Sequence, residues 1–196
     1  METIILRIII SPFLILSLTF HEFAHAWSAY KLGDPTAKYE GRLSLNPLVH
    51  LDLIGLLMVI LVGFGWAKPV PVNPYNFKNP PLHTSIVAFA GPLSNIILAL
   101  VGVIVSKFIN PVGIDTFVWI NIYLAVFNLI PLPPLDGWRI LQGLYPRFYG
   151  DYSLEVKLSY VLLGIIFVSI LTPIDIIGWF LYPISSFIYL LLHSLV

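Results

Sequence analysis

The sequence predicts an all-α polytopic membrane protein, because its composition and its hydropathy both exclude an ordinary soluble domain. Of its 196 residues, 58% are hydrophobic and only 10% are Lys, Arg, Asp or Glu, whereas about 25% are charged in a typical globular domain. The mean hydropathy is +0.91. A soluble fold of this size needs more polar surface than these residues supply, so we expect a single membrane-embedded domain over residues 1–196.

Five apolar segments are candidates for transmembrane helices, each of which needs about 20 mainly apolar residues. They cover residues 4–28, 84–109, 115–131, 157–172 and 176–193. The first segment is similar to a signal peptide, but Glu2 precedes Arg7 and the apolar pattern continues past Ala26, so we interpret it as a retained helix. A sixth apolar stretch, residues 51–66, is short and contains glycine. It either crosses the bilayer or enters and returns, which gives five or six helices in all.

The distribution of basic residues favours a re-entrant path for residues 51–66. If this stretch does not cross, eight of the ten basic residues lie on one side of the membrane: Lys31, Lys38, Arg42, Lys68, Lys78, Arg139, Arg147 and Lys157. Only Arg7 and Lys107 then lie near the other side. Since basic loops stay in the cytoplasm, we expect these loops to be cytoplasmic and the N-terminus to be outside the cell membrane.

A proline-rich stretch follows residues 51–66 and is predicted to be extended. Five prolines occur between Trp66 and Pro81, at nearly alternating positions. Proline disrupts a helix interior but is tolerated in extended or edge-strand backbone. We therefore expect a short extended or β-strand stretch near residues 66–78, either as a functional edge or as a stiff surface loop.

One motif in the first helix predicts a zinc site. Residues 21–25, HEFAH, match H-E-x-x-H. In a helix, positions i and i+4 share a face, so the imidazoles of His21 and His25 can bind one ion. Glu22 lies about 100° around the helix, from where it can reach a water molecule without being a ligand itself. There is no cysteine, so thiolate ligands and disulfides are excluded.

A catalytic zinc site needs a third protein ligand. The remaining candidates are His50, Asp52, His83, Asp115, Asp136, Asp151, Glu155, Asp175 and His193. Asp136 is favoured because it follows the helix-breaking prolines of residues 128–139, and broken backbone at membrane depth occurs only where protein buries it or water fills a cavity. The end of the first helix and Asp136 lie on one side of the membrane only if residues 51–66 do not cross it.

These motifs resemble the site-2 protease family of intramembrane zinc metalloproteases. The resemblance rests on HEFAH near the end of one helix and NLIPLPPLDG, residues 128–137, closing a later one. Further similar elements are AGPLSN at residues 90–95, GWAKPVPVN at residues 65–73 and SLNPLVHLDLIG at residues 44–55. They resemble the short prokaryotic branch, without the PDZ or CBS domains of larger members. The similarity covers residues 20–142, so we expect a catalytic core at about 4–142 and C-terminal helices at about 157–193.

The resemblance implies an endopeptidase that cuts membrane-anchored proteins in or near their transmembrane segments. It implies one Zn²⁺ per chain, held by His21, His25 and Asp136, with Glu22 as the general base. It also implies that Asn128 holds the substrate backbone and that the proline-rich stretch accepts the substrate as an added strand, for which Val70, Pro71 and Val72 are suited. The expected partners are a transmembrane protein substrate and the lipid bilayer, with the active site towards the cytoplasm and no nucleic acid bound.

Three polar residues are candidates for orienting the zinc ligands. His50 and Asp52 either contact a ligand imidazole or cap the helix of residues 51–66. Asn95 either bonds towards the active site or bonds a neighbouring helix, as membrane amides commonly do.

Two other functions stay open on the sequence. A metal-binding transporter would also have inward polar residues and a broken helix, and an inactive membrane scaffold would bind transmembrane partners without cleaving them.

Overall fold

The computed structural model describes residues 2–109 and 113–196, which form a bundle of helices. The helices are α1 (Glu2–Lys31), α2 (Thr36–Tyr39), α3 (Leu53–Leu61), α4 (Pro80–Phe108), α5 (Ile114–Asn128), α6 (Asp136–Leu144), α7 (Tyr152–Leu171) and α8 (Ile176–Ser194). Side-chain caps fix several helix starts: Asp52 accepts from Gly55 N–H at the start of α3, and Asp151 accepts from Leu154 N–H at the start of α7.

Four of the described helices are long and apolar enough to cross a membrane. They are α1 from Ile4 onwards, α4, α7 and α8. The segment expected to cross at residues 115–131 forms α5, which has only 15 residues and is about 22 Å long at 1.5 Å per residue. It ends at Asn128 because the prolines that follow cannot continue a helix. The protein is therefore an all-helical membrane protein in which a shorter apolar helix accompanies four longer ones.

The bundle core lies where α4, α5 and α8 meet. Its buried side chains are small or β-branched on α4 and α5, namely Ala99, Val103, Val118, Ile122 and Val126, with Leu181 and Leu192 from α8. Helix α7 buries only Leu162 and Ile166. Most of its other large apolar side chains are exposed, as expected for a helix that faces lipid.

Helix α3 and the chain after it form a hairpin that packs along α1. The two ends of the hairpin are joined because Lys68 N–H donates to His50 C=O at 2.9 Å. At its tip, Arg7 of α1 donates to the carbonyl of Leu61 at 2.7 Å, which satisfies a free C-terminal carbonyl of α3. The hairpin thus extends along α1 from its C-terminal end as far as Arg7.

The short strand expected near residues 66–78 is not seen, and no β-strand occurs in the described part of the chain. Residues 64–73 are irregular and a single 3₁₀ turn follows at Pro74–Asn76. The physical reason is that the prolines have no N–H group and that several of the remaining N–H groups donate to side chains instead of to a neighbouring strand. Val70 N–H donates to Glu22, and Asn73 N–H donates to Asp34. No ladder with a neighbouring strand is left to form.

Candidate metal centre

The structure brings His21, His25 and Asp136 together at the junction of α1 and α6. Asp136 Oδ2 lies 3.1 Å from His21 Nε2 and 3.3 Å from His25 Nε2. One donor atom from each residue lies within 4.8 Å of the others. Two residues of HEFAH meet on one face because they are one helical turn apart, and Asp136 reaches them because α5 stops short and the chain turns back.

The donor atoms of this cluster fit zinc. Two imidazole nitrogens and one carboxylate oxygen are the ligand types of catalytic zinc sites, which use three protein ligands and leave a position open. Asp136 Oδ2 is buried and has no hydrogen-bond donor aligned with it among the described residues. A buried, unpartnered carboxylate oxygen facing two imidazoles is costly, and a cation between them removes that cost.

The outer nitrogens of both imidazoles are fixed by acceptors. His21 Nδ1 lies 2.6 Å from Asn95 Oδ1, and His25 Nδ1 lies 2.8 Å from Val87 C=O. Because a carbonyl oxygen only accepts, each Nδ1 donates a hydrogen bond, and each Nε2 is left as the nitrogen that faces Asp136. This is the arrangement that orients histidine ligands in metal sites.

Glu22 lies beside the three residues but contacts the proline-rich segment instead. Its carboxylate Oε2 accepts from Val70 N–H at 2.9 Å, and the side chain is largely buried. A backbone N–H holds one carboxylate oxygen in place. The other oxygen is left to accept a proton in the cavity.

A cavity of about 210 Å³ contains this cluster. The sequence-selected residues that line it are His21, Glu22, His25, Val70, Val72, Asn128 and Asp136. Pro71 lies between two lining residues and does not line the cavity itself. Asn128 donates to Leu124 C=O from its own helix at 2.9 Å, so its amide stands at the cavity wall with a known orientation.

The structure does not bring His50 and Asp52 to the cluster. His50 Nε2 pairs with Ser44 C=O at 2.7 Å, and Asp52 caps α3. Both residues lie where the hairpin begins, and these side-chain atoms bond to backbone groups within six residues of their own positions. Asn95, in contrast, bonds His21 directly.

Two lining or supporting residues escaped the sequence analysis. Asn121 of α5 is fully buried and bonds Asn95, and Thr84 is buried at the cavity wall. A polar amide in the middle of an apolar helix is itself a signal of function, and Asn121 carries that signal. Thr84 has no comparable sequence signal.

Asp34, just after the end of α1, forms hydrogen bonds with the proline-rich segment that lines the cavity. Its side chain is fully buried, and its Oδ2 accepts from Asn73 N–H at 2.7 Å while Oδ1 accepts from Asn76 Nδ2 at 2.6 Å and from the Thr36 hydroxyl. Burial raises the pKa of Asp34, but the hydrogen bonds from Thr36, Asn73 and Asn76 outweigh burial, so its pKa lies below the ordinary 3.8.

Replacement of Asp34 by asparagine should lower the free energy of unfolding at pH 7 by about 1.5–3 kcal/mol, because a charged acceptor is lost and an amide N–H₂ faces other donors. Because its pKa is lowered, ionised Asp34 stabilises the fold at pH values above its unfolded pKa near 3.8. This stabilisation is lost as the pH falls through the folded pKa. Thermal unfolding of Asp34→Asn and wild type should therefore converge below that pH. Asp151→Asn, which keeps a cap on α7, is the control with little change. Equal unfolding temperatures at pH 7 would remove this role from Asp34.

Comparison with known proteins agrees with the geometry. Residues 108–171 match the sequence profile described as Peptidase family M50. Over 147 residues the chain is 48% identical to "Putative zinc metalloprotease YwhC" of Bacillus subtilis, covering 68% of this chain and 67% of that protein. It is 30% identical over 151 residues to "Zinc metalloprotease MJ0392" of Methanocaldococcus jannaschii, covering 74% of this chain and 37% of that protein.

A third relative, "Stage IV sporulation protein FB" of Bacillus subtilis, is 28% identical over 186 residues, which cover 86% of this chain and 63% of that protein. The chain thus spans between 37% and 67% of the lengths of these three relatives. No solved structure gives a significant match. The resemblance predicted from the motifs is confirmed, with zinc as the expected cofactor. The chain belongs to peptidase family M50, the site-2 protease family of zinc metalloproteases.

Proposed function

We propose that this protein is a zinc-dependent endopeptidase that hydrolyses peptide bonds in or near the transmembrane segments of membrane-anchored proteins. The observation that carries the proposal is the meeting of His21, His25 and Asp136, with Glu22 beside them, in a cavity within an apolar helix bundle. Ionisable side chains at membrane depth are costly and mark functional sites. This set is the one that metal-assisted hydrolysis requires.

The residues divide the chemistry between them. A zinc ion held by His21, His25 and Asp136 would polarise the scissile carbonyl and acidify a water molecule. Glu22 takes a proton from the attacking water molecule while the water oxygen adds to the carbonyl carbon. It then delivers that proton to the amide nitrogen as the C–N bond breaks. Val70 N–H keeps the Glu22 carboxylate aimed into the cavity during both transfers.

A second, apolar cavity supports the proposal that the substrate is a transmembrane segment. It has a volume of about 830 Å³ and shares His21, Glu22, Pro69, Asn128 and Pro134 with the smaller cavity. Its remaining walls are mainly apolar residues of α1, α5, α7 and α8 and of the hairpin at residues 59–67. An apolar space that opens directly onto charged groups suits a lipid-embedded segment whose scissile bond must reach them.

The proline-rich segment offers a short edge for the unwound substrate. A helical substrate must lose internal hydrogen bonds before cleavage, and backbone groups of this irregular segment can replace them. Val70 and Val72 line the cavity, with Pro71 between them, and Val70 has already committed its N–H to Glu22. The carbonyl groups of this stretch therefore provide most of the pairing, and Asn128 binds the substrate backbone from the opposite wall.

The hairpin formed by α3 and the chain after it supports a re-entrant path for residues 51–66 and, with it, a site towards the cytoplasm. Helix α3 has nine residues, about 14 Å at 1.5 Å per residue, against a hydrocarbon core of about 30 Å. The two ends of the hairpin are joined by the hydrogen bond from Lys68 N–H to His50 C=O. Gly55 and Gly65 allow the returning chain to lie against α3, since a Cβ on either would collide with the backbone of the other arm. The basic loops then share one face, in a multi-pass protein of the cell membrane.

Reconstitution in lipid nanodiscs with a membrane-anchored reporter tests this function. Cleavage within or beside the reporter's transmembrane segment should stop on zinc chelation and resume when zinc is added back. In the same assay Asn128→Ala should lower the turnover with unchanged zinc content, because only substrate binding is affected. Cleavage that persists without zinc would refute the proposed chemistry, and loss of zinc from Asn128→Ala would assign Asn128 to the metal centre's structure.

A further inference from the structure

A series of hydrogen bonds between buried side-chain amides connects His21 of α1 to helix α5. Asn95 of α4 and Asn121 of α5 are both completely buried, as is Ser17 of α1. Asn95 Nδ2 donates to Asn121 Oδ1 at 2.9 Å and to Ser17 C=O at 3.2 Å. Unpaired amides in an apolar interior are costly, and here every link is made, ending at the His21 imidazole.

The direction of each hydrogen bond in this series is fixed. Asn121 Nδ2 donates to Phe117 C=O at 2.9 Å, and a carbonyl can only accept, so Asn121 Oδ1 must face Asn95. Asn95 must then present Nδ2 to Asn121 and to Ser17, which leaves Oδ1 for His21. His21 Nδ1 therefore donates to Asn95, and Nε2 is the nitrogen that faces Asp136 and is placed to bind a metal.

We propose that Asn121 is a positioning residue for zinc binding, acting on His21 through Asn95. The proposal rests on the metal centre proposed above and assigns a role to a helix that contributes no ligand of its own. Rotation of the Asn95 amide by 180° would place Oδ1 against two acceptors, Asn121 Oδ1 and Ser17 C=O. Without Asn121 only one of these opposing contacts remains.

A rotated Asn95 would reverse the tautomer of His21. Its Nδ2 would then face Nδ1 of the imidazole, which would have to accept and so move its proton to Nε2. A protonated Nε2 cannot bind a metal. Asn121 thus raises the free energy of the tautomer that cannot bind zinc, and zinc affinity is the quantity that it controls.

The test compares Asn121→Thr with Asn121→Val in the full-length protein, because the two side chains have the same shape and differ in one hydroxyl group. A helical threonine donates to the carbonyl four residues earlier, as Thr19 does to Ile15 at 2.7 Å, and its oxygen can still accept from Asn95. We expect Asn121→Val to bind zinc about tenfold more weakly than wild type in chelator competition. Asn121→Thr should retain most of the affinity.

Two further variants separate positioning from packing. In an Asn95→Leu background, the Asn121→Val substitution should no longer change zinc affinity, because the residue through which it acts is gone. Ser185→Ala removes a buried hydroxyl of α8 and should leave zinc affinity unchanged. Thermal unfolding of the zinc-free proteins reports any general loss of packing separately.

The outcomes distinguish this inference from the function it rests on. Equal zinc affinity of the Val and Thr variants, or a full effect of Asn121→Val in the Asn95→Leu background, overturns the role of Asn121 while a zinc-binding wild type keeps the metal centre. A wild type that binds no zinc overturns both.

Discussion

Replacement of Glu22 by glutamine should reduce the rate of peptide-bond hydrolysis about 10²–10⁴-fold while zinc content stays at the wild-type level. Glutamine has nearly the size of glutamate and can still accept the hydrogen bond from Val70 N–H, but its amide cannot take a proton from water. Cleavage of a membrane-anchored reporter, measured beside elemental analysis of the same preparation, gives both quantities.

This substitution also separates the protease from a metal transporter. A transporter that holds its metal through His21, His25 and Asp136 would keep its activity in Glu22→Gln, because the metal ligands are intact. Reporter cleavage by Glu22→Gln at the wild-type rate, with zinc bound, would contradict the assignment of Glu22 as the general base.

Replacement of Gly91 by alanine should abolish zinc binding. Gly91 lies on α4 directly against the metal centre, and a Cβ there would stand 2.5 Å from His25 Nε2 and 2.6 Å from His21 Nε2. The methyl group would contact the very atoms that bind the metal, and α4 cannot move away because its other side packs in the bundle core. The zinc content per chain and the cleavage rate should both fall to background.

Gly164→Ala is the matched control for this experiment. Gly164 also lies within a helix, α7, but nothing lies within 4 Å of the position that its Cβ would take. Alanine is favoured over glycine in a helix by about 1 kcal/mol, so this variant should fold at least as well as wild type and bind zinc normally. Full zinc content in Gly91→Ala would place the metal elsewhere than at His21 and His25.

The part of the site that the sequence predicted is the part encoded by local spacing or by topology. His21 and His25 share a helical face because of their four-residue separation, which the sequence displays directly. Asp136 was predicted in another way, because the helix-breaking prolines and the distribution of basic residues placed it on the same side of the membrane as the end of the first helix. The structure brings it within 3.3 Å of both imidazoles.

The features that the sequence did not predict depend on contacts between distant segments. The expected strand near residues 66–78 does not form, since the N–H groups of Lys68, Val70 and Asn73 donate to His50, Glu22 and Asp34 instead of a neighbouring strand. No local pattern reveals those partners. Asn121 bonds Asn95 only because α4 and α5 pack in one register. Four described helices are long enough to span a membrane, and α5 is a shorter apolar helix of 15 residues, so the count of five or six spanning helices stays a prediction.

Elemental analysis of detergent-purified protein, prepared without chelators, is the decisive test of the zinc centre formed by His21, His25 and Asp136. Wild type should contain about one zinc per chain, and both His21→Ala and Asp136→Ala should lose it, because each removes one of three ligands. Zinc lost from the His21 variant but kept by Asp136→Ala would contradict the three-residue centre and return the third ligand to another part of the chain. A wild type without zinc would contradict the account as a whole.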